Sequence, residues 1–224
     1  MKVLIIVPAY NEEDNIIKTI TDIKTNLPDC DYVVINDCSK DGTAKILDEK
    51  CFNHVDLPVN LGLSGGVQTG YKYAYENGYD CAIQFDGDGQ HQAKYIPAMV
   101  KEIEAGYDIV IGSRFVDKKK DYSLRMIGSR IISFLIRMTT GVRISDPTSG
   151  MRMLNSKMIY DYAYNMNRKP EPDTLVYQIR RNAKIKEIQV EMNEREAGVS
   201  YISSSWASDK YMLNTVISIL FLTH

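Results

Sequence analysis

No two of the four cysteines sit at metal-knuckle spacing: Cys30, Cys38, Cys51 and Cys81 are 8, 13 and 30 residues apart. That spacing argues against a zinc site or a disulfide framework. With no leader-like start, a reducing cytosol is the expected compartment. Long apolar runs are also missing. The first, in MKVLIIVPAYNEE, breaks at Pro8, and Met212–Leu222 is about half of the ~20 residues a spanning helix needs. The latter could lie on a membrane, pack on the body or meet a partner, but should not cross a bilayer alone. Nor is there an excess of one charge: 27 Lys and Arg against 29 Asp and Glu give −2, so overall charge selects no partner. No glycine loop carries the Lys-Ser/Thr of a P-loop, and Asn60–Gly66 is too irregular for a dinucleotide fingerprint.

What is present is an ordinary globular composition. The 224 residues are 44% hydrophobic and 25% charged, enough for one large domain with a sizeable core. The charge is unevenly spread. Residues 114–143 hold eight cations and two acids, a net of +6, so the remainder carries −8. A basic segment on an acidic body suits a phosphate-rich or anionic-surface partner, though a solvated helix face is the plainer reading. Beyond that patch nothing points to nucleic acid.

Along the first half, apolar β-branched runs alternate with helical spacing. Strands are expected at Lys2–Val7, Tyr32–Ile35, His54–Leu57, Cys81–Phe85 and Asp108–Ile111, with helices between them. That alternation predicts an α/β fold, a mostly parallel central sheet with helices on both faces. Ligands in such sheets sit beyond the carboxyl ends of the strands. The polar clusters Pro8–Glu13, Asp37–Thr43, Asn60–Gly66, Asp86–His91 and Gly112–Arg114 all fall there. The alternation then stops. Ser123–Thr139 reads as a basic amphipathic helix, apolar at Leu124, Ile127, Ile131, Phe134, Leu135 and Met138, of a kind suited to a membrane surface. A strand Met151–Leu154, two short helices and a strand Ile185–Val190 follow.

The chemistry is concentrated at Asp86-Gly87-Asp88, after the apolar run ending in Phe85. Two carboxylates one residue apart at a strand end can turn toward one hard cation, Mg²⁺ or Mn²⁺, with open positions for diphosphate oxygens. The plain alternative is a solvated turn; an EF-hand does not fit, lacking the distant Glu and flanking helices. Asp37, also at a strand end, can accept from a base N–H or a ribose hydroxyl, while Asp41 suits the turn and helix cap. Asn60–Gly66 reads mainly as a close-approach loop at a helix start.

In this order the pieces PAYNEE (8–13), INDCSKDGT (35–43), NLGLSGG (60–66), DGDGQ (86–90), GSR (112–114), DPTSGMRM (146–153) and NEREAGVS (193–200) resemble the family 2 glycosyltransferases of GT-A fold. DGDGQH with GSR and the Asp-Pro-x-Ser-Gly stretch is most similar to the dolichyl- and polyprenyl-phosphate sugar synthase branch. The resemblance implies a GT-A domain over 1–200 and an accessory segment over 201–224. It implies that Pro8, Tyr10, Glu12, Ile35, Asp37, Gly87 and Gln90 hold the nucleotide, and that Asp86 and Asp88 hold Mg²⁺ or Mn²⁺ and the diphosphate. Arg114, Arg125 and Ser129 then face the acceptor phosphate, and Arg195 the substrate phosphates. The partners implied are a nucleotide-sugar donor (UDP or GDP), a polyprenyl-phosphate acceptor, the inner membrane surface, a small membrane protein and a second copy of the chain.

Two departures shape this reading. The lone tryptophan, Trp206, is not in a Q-x-x-R-W motif, which argues against a processive polysaccharide synthase. An acidic pair carrying a catalytic base is matched only imperfectly, by Asp146 and Glu171-Pro172-Asp173. A sugar hydroxyl needs such a base. A lipid monophosphate does not, since its second pKa near 6 leaves it mostly ionised. Transfer to a lipid-linked oligosaccharide, a non-catalytic nucleotide-sugar-binding module and a nucleotidyltransferase are the competing readings.

Overall fold

In a computed structural model the described residues are 1–121, 123–165, 172–193 and 214–222, of which 124, 125, 221 and 222 are described by backbone alone. Strands β1 (Val3–Ala9), β2 (Asp31–Asn36), β3 (His54–Asp56), β4 (Cys81–Gln84), β5 (Ile109–Ser113), β6 (Arg152–Asn155) and β7 (Ile185–Gln189) form one sheet. Its order is β3-β2-β1-β4-β6-β5-β7. Every pairing is parallel except the two made by β6, which lies antiparallel between β4 and β5. This is the mostly parallel sheet the alternation predicts, with one inserted strand of opposite sense.

All seven residues of β1 are buried. A continuous Val/Leu/Ile run forms such a strand because both faces are covered and neither needs a polar row. Side chains alternate between two cores, as period 2 requires. Leu4 and Ile6 join Val67 and Tyr71 of α3 (Gly62–Glu76), Ile132 and Ile136 of α5 (Leu124–Thr140), and Leu175 and Val176 of α7 (Pro172–Arg180). Ile5 and Val7 join Ile16 and Ile20 of α1 (Ile16–Asn26), Leu47 of α2 (Thr43–Glu49), and Ile96 and Met99 of α4 (Ile96–Glu104). The short helix α6 (Ser156–Tyr160) runs into a wider turn at Asp161–Asn165.

α3 begins at Gly62 and α1 begins after Asn15; Asn11, with a positive φ of 56°, lies outside the helix. More consequential is α5, which turns Met126, Ile132 and Ile136 inward and leaves Ile127, Ile131, Phe134 and Met138 exposed. The apolar stripe read from the sequence is therefore the outer face, and a second, shorter apolar face packs on the sheet. At the far end, Ile219 is fully buried and Ser218 Oγ donates to Asp173 Oδ2 at 2.6 Å, so the described tail packs on α5 and α7. Among the described residues no helix is long and apolar enough to cross a membrane.

Candidate active site

The strand order reverses direction at β1: β2 and β3 lie on one side, β4 on the other. Crevices open at the carboxyl ends of strands at such a reversal, because the connections leave in opposite directions. The exits of β1, β2 and β4 meet there. Asp37 N–H donates to Ala9 C=O at 2.9 Å and Phe85 N–H to Ile6 C=O at 2.9 Å, carrying the ladder past the strand ends.

On the β1–β2 side the loops are fastened by short polar side chains. Asn11 N–H donates to Ser39 Oγ at 3.0 Å, and Lys40 N–H donates to Asn11 Oδ1 at 2.8 Å. Glu12 N–H donates to Thr43 Oγ1 at 2.9 Å, and Gly42 N–H to Glu13 Oε2 at 2.7 Å. Asp41 accepts from Thr43 N–H and hydroxyl and from Glu13 N–H, which holds its carboxyl below the usual range despite burial. It is the structural aspartate expected. Asp37, 4% exposed, accepts from Leu61 N–H at 2.6 Å through Oδ1, while Asn60 Nδ2 donates to its carbonyl at 3.0 Å. It thus ties the Asn60–Gly66 loop to β2, a structural duty the sequence did not reveal. Pro8 and Ile35 are buried strand residues beside it, and Tyr10 is exposed at the rim.

At the β4 exit, Asp86 and Asp88 are both half-buried. Gln84 Nε2 donates to Asp86 Oδ1 at 2.9 Å. His91, buried, accepts from Asp86 N–H through Nδ1 at 2.9 Å, so its Nε2 carries the proton, 3.7 Å from Asp86 Oδ2. Gln90 N–H donates to Asp88 Oδ1 at 3.1 Å. Gly87 runs so close to β1 that a Cβ there would stand 3.0 Å from Pro8 C=O. A Cβ on Gly150 would stand 2.7 Å from Asp86 Oδ2, so the Asp146–Gly150 turn presses its backbone on the carboxylate. Among the described residues no three His, Cys, Asp or Glu side chains could hold a metal together. Two half-buried carboxylates fit a hard cation that completes its shell with water and diphosphate oxygens.

The β5 side is built differently. Arg114 Nε donates to Asp146 Oδ2 at 2.8 Å and Arg114 Nη2 to Asp146 Oδ1 at 2.9 Å, a bidentate pair. Asp146 is fully buried; burial raises its pKa, and the Arg114 hydrogen bonds and charge outweigh that and hold it below the usual carboxylate range. It is therefore an anchored carboxylate rather than a base. Arg152, buried, donates to the carbonyls of Pro147 and Ser149, and Ser149 Oγ donates to Gly112 C=O at 2.6 Å, which fixes the turn. Ser129 is buried, and Lys120 Nζ donates to it at 2.7 Å and to Ser133 at 3.2 Å. Ser129, expected to meet a phosphate, thus lies beside a cation that could meet the same anion. Burial lowers the Lys120 pKa, and Asp146 and Glu187 partly offset it.

Beside this turn lies an open cleft of about 460 Å³, lined among others by Gln92, Arg114, Lys118, Lys119 and Asn193. Lys118 pairs with Glu191 at 2.9 Å. Asn193 N–H donates to Gln90 C=O at 2.9 Å, so the cleft adjoins the Asp86–His91 loop. The structure therefore brings a carboxylate pair and a cation-lined hollow together on one rim. Arg195 and the side chain of Arg125 lie outside the described residues, as does Glu171. His91, Gly150 and Asn193 were not read as site residues, nor was the pairing of Arg114 with Asp146. The only signal for them was that their stretches belong to the quoted motifs.

A mostly parallel sheet with a carboxylate pair beside the reversal of strand order is the α/β architecture of the GT-A class. The chain belongs to the family described as "Glycosyl transferase family 2", whose profile matches residues 4–163. It is similar to an undecaprenyl-phosphate mannosyltransferase of Micrococcus luteus, 29% identical over 216 residues, 91% of this chain and 88% of that one. It is also similar to a UDP-N-acetylglucosamine–dolichyl-phosphate N-acetylglucosaminyltransferase of Methanococcus voltae, 30% identical over 181 residues, 70% of each chain. In fold it matches a glucosyl-3-phosphoglycerate synthase of Mycobacterium tuberculosis, solved with Mn²⁺, uridine diphosphate and phosphoglyceric acid. There the TM-score is 0.72 at 15% identity, covering 98% of this chain and 78% of the other.

Proposed function

We propose that the protein transfers a sugar from a nucleotide-diphosphate sugar, a UDP-sugar in the first instance, to a polyprenyl phosphate, with inversion at the anomeric carbon. The observation that carries this is that Asp146, a candidate base from the sequence, is committed to Arg114, with the neighbouring Glu187 and Glu191 also engaged. Glu187 accepts from the N–H groups of Ser145 and Asp146, and Glu191 pairs with Lys118. An acceptor already ionised at neutral pH suits such a site; a sugar hydroxyl does not. The relatives' acceptors, undecaprenyl and dolichyl phosphate, are of that kind.

Pro8, Tyr10, Glu12, Ile35 and Asp37 line the nucleoside side, with Gly87 and Gln90 beside the donor. Asp86 and Asp88 would hold Mg²⁺ or Mn²⁺, and the ion, when bound, neutralises charge on the departing nucleotide diphosphate. Gln84, His91 and the backbone of Gly150 fix the Asp86 carboxylate, so little reorganisation accompanies the reaction. Arg114 and Lys119 make the cleft attractive to an anion, with Arg125 and Arg195 assigned to the same duty by resemblance. An acceptor phosphate oxygen bonds to the anomeric carbon as its bond to the diphosphate oxygen breaks, and no proton needs to be removed.

Because the acceptor is a membrane lipid, the enzyme works at a bilayer surface. The test is transfer from a panel of nucleotide sugars to undecaprenyl phosphate with Mn²⁺ or Mg²⁺. Formation of a lipid phosphosugar supports the reading. Transfer only to an already glycosylated lipid, or donor binding without turnover, overturns it.

A further inference from the structure

α5 has two apolar faces, and only one is covered. Ile132 and Ile136 are fully buried against the sheet. Ile127, Ile131, Phe134 and Met138 are exposed by 42, 45, 60 and 65%, and the last two are the most exposed large apolar side chains among the described residues. At 100° per residue these four fall within an arc of about 60°, one straight row along the helix. A single exposed isoleucine needs no explanation, but a row of four, each still largely in water, does.

The charges on the same helix say what covers it. The sequence LRMIGSRIISFLIRMTT carries three arginines and no acid. Arg130 and Arg137 flank the apolar row on one side, and Arg137 is exposed. A second copy of this face would set arginine against arginine. An anionic lipid surface instead takes the apolar row into its acyl boundary and pairs its headgroups with the arginines. The terminal turn Ser218–Leu222 packs against α5, and in this tail Ile217 and Leu220 are exposed. Resting on the proposed use of a membrane lipid, we infer that the outward face of α5 is the surface by which the enzyme lies on an anionic bilayer, Phe134 and Met138 inserted and Arg137 at headgroup level.

This arrangement also orients the site. The loop that lines the cleft, with Lys118 and Lys119, leads into the first turn of α5, and Lys120 fastens that loop to Ser129 and Ser133 on the helix. A helix lying in the interface thus brings the cation-lined cleft to the level at which a lipid phosphate stands.

The experiment is co-sedimentation of the full chain with vesicles of phosphatidylcholine containing about 30 mol% phosphatidylglycerol, and with phosphatidylcholine alone. The double variant Phe134→Glu/Met138→Glu is expected to lower the partition by about tenfold or more, with an unchanged melting temperature. Arg137→Glu is expected to lower it on the anionic vesicles only. Ile17→Glu, on exposed α1, serves as the control and is expected to bind like wild type. Equal binding by the double variant and wild type overturns the inference, as does an equal loss in the Ile17 control. A wild-type dimer that the double variant dissociates, with vesicle binding retained, overturns it in favour of self-association. Transfer to a short, water-soluble prenyl phosphate separates this from the reaction itself. The double variant keeping that transfer while losing vesicle binding supports docking. Wild type lacking it with every donor defeats the acceptor assignment, and the vesicle comparison then stands by itself.

Discussion

At the β1–β2 end of the rim, three loops are joined by short hydrogen bonds that the side chains of Asn11, Glu13, Asp37 and Asp41 accept from backbone N–H groups. At the β5–β7 end, the same task falls to a buried ion pair between Arg114 and Asp146 and to a lysine lodged among serines. The first region is fixed by neutral or singly charged contacts close to the chain, and beside it, at the β4 exit, stand the half-buried carboxylates Asp86 and Asp88. The second is fixed by long cationic side chains that are already partly neutralised inside the protein. A rim that receives both a nucleotide diphosphate and a lipid phosphate needs this asymmetry. Carboxylates recruit a cation for the first, while cations meet the second directly, and some of them must be restrained so that they do not collapse onto those carboxylates.

The sharpest way to break the donor side is Asp88→Ala. We expect transfer to fall by about a thousandfold or more, with the melting curve unchanged, because the side chain is half-buried and no core packing is lost. Wild-type turnover in that variant would remove the metal from the account. On the other side, Asp146→Asn leaves Arg114 without its counter-charge. A loss of about 3 kcal/mol is expected at neutral pH, at the low end for buried pairs because the Arg114 side chain is 25% exposed. The pair lowers the folded pKa of Asp146, so its contribution is present at neutral pH and disappears as pH falls through that depressed value. Thermal melts should therefore converge for the two proteins on acidification. A gap independent of pH would show that packing, not charge, fixes the turn.

Gly150→Ala joins the two regions. Its Cβ would stand 2.7 Å from Asp86 Oδ2. Displacing that carboxylate by less than an ångström is expected to cost ten- to a hundredfold, roughly, and to raise the divalent ion needed for half-maximal rate. An unchanged ion requirement would mean that Asp86 does not touch the ion. The smallest effect belongs to Lys119→Ala, an exposed cation at the cleft. The acceptor KM should rise by about two- to fivefold while the donor KM stays constant, as expected for one screened charge. A shift in the donor KM alone would place the cleft on the wrong side of the reaction.

The two regions differed equally in how readable they were. β1, β2 and β4 announce themselves as continuous buried runs ending in Pro-Ala-Tyr, Asn-Asp and Asp-Gly-Asp, because a strand covered on both faces has no other way to be written. Asp41 was legible as a turn residue because its partner Thr43 is two residues away. Asp37 was only half legible: its strand-end position showed in the sequence, but its bond to Leu61 spans 24 residues and left no periodic trace. The antiparallel β6 is four residues long, and nothing local says which neighbours it pairs with. α5 was half legible: its strong stripe, read as suited to a membrane surface, is exposed, while the face that packs on the sheet gave no separate signal. Which stripe is covered depends on the sheet it meets, and here the weaker one, with Ile132 and Ile136, faces inward.

The most direct test of the central claim is to incubate the protein with undecaprenyl phosphate and a labelled UDP-sugar, drawn from a panel with GDP-mannose beside it. The label is followed into the lipid phase with Mn²⁺ or with a chelator. The expected result is a lipid-linked phosphosugar of inverted anomeric configuration that forms with the ion and not with the chelator. Labelled product of equal yield under chelation, or retention of the donor's configuration, would contradict it.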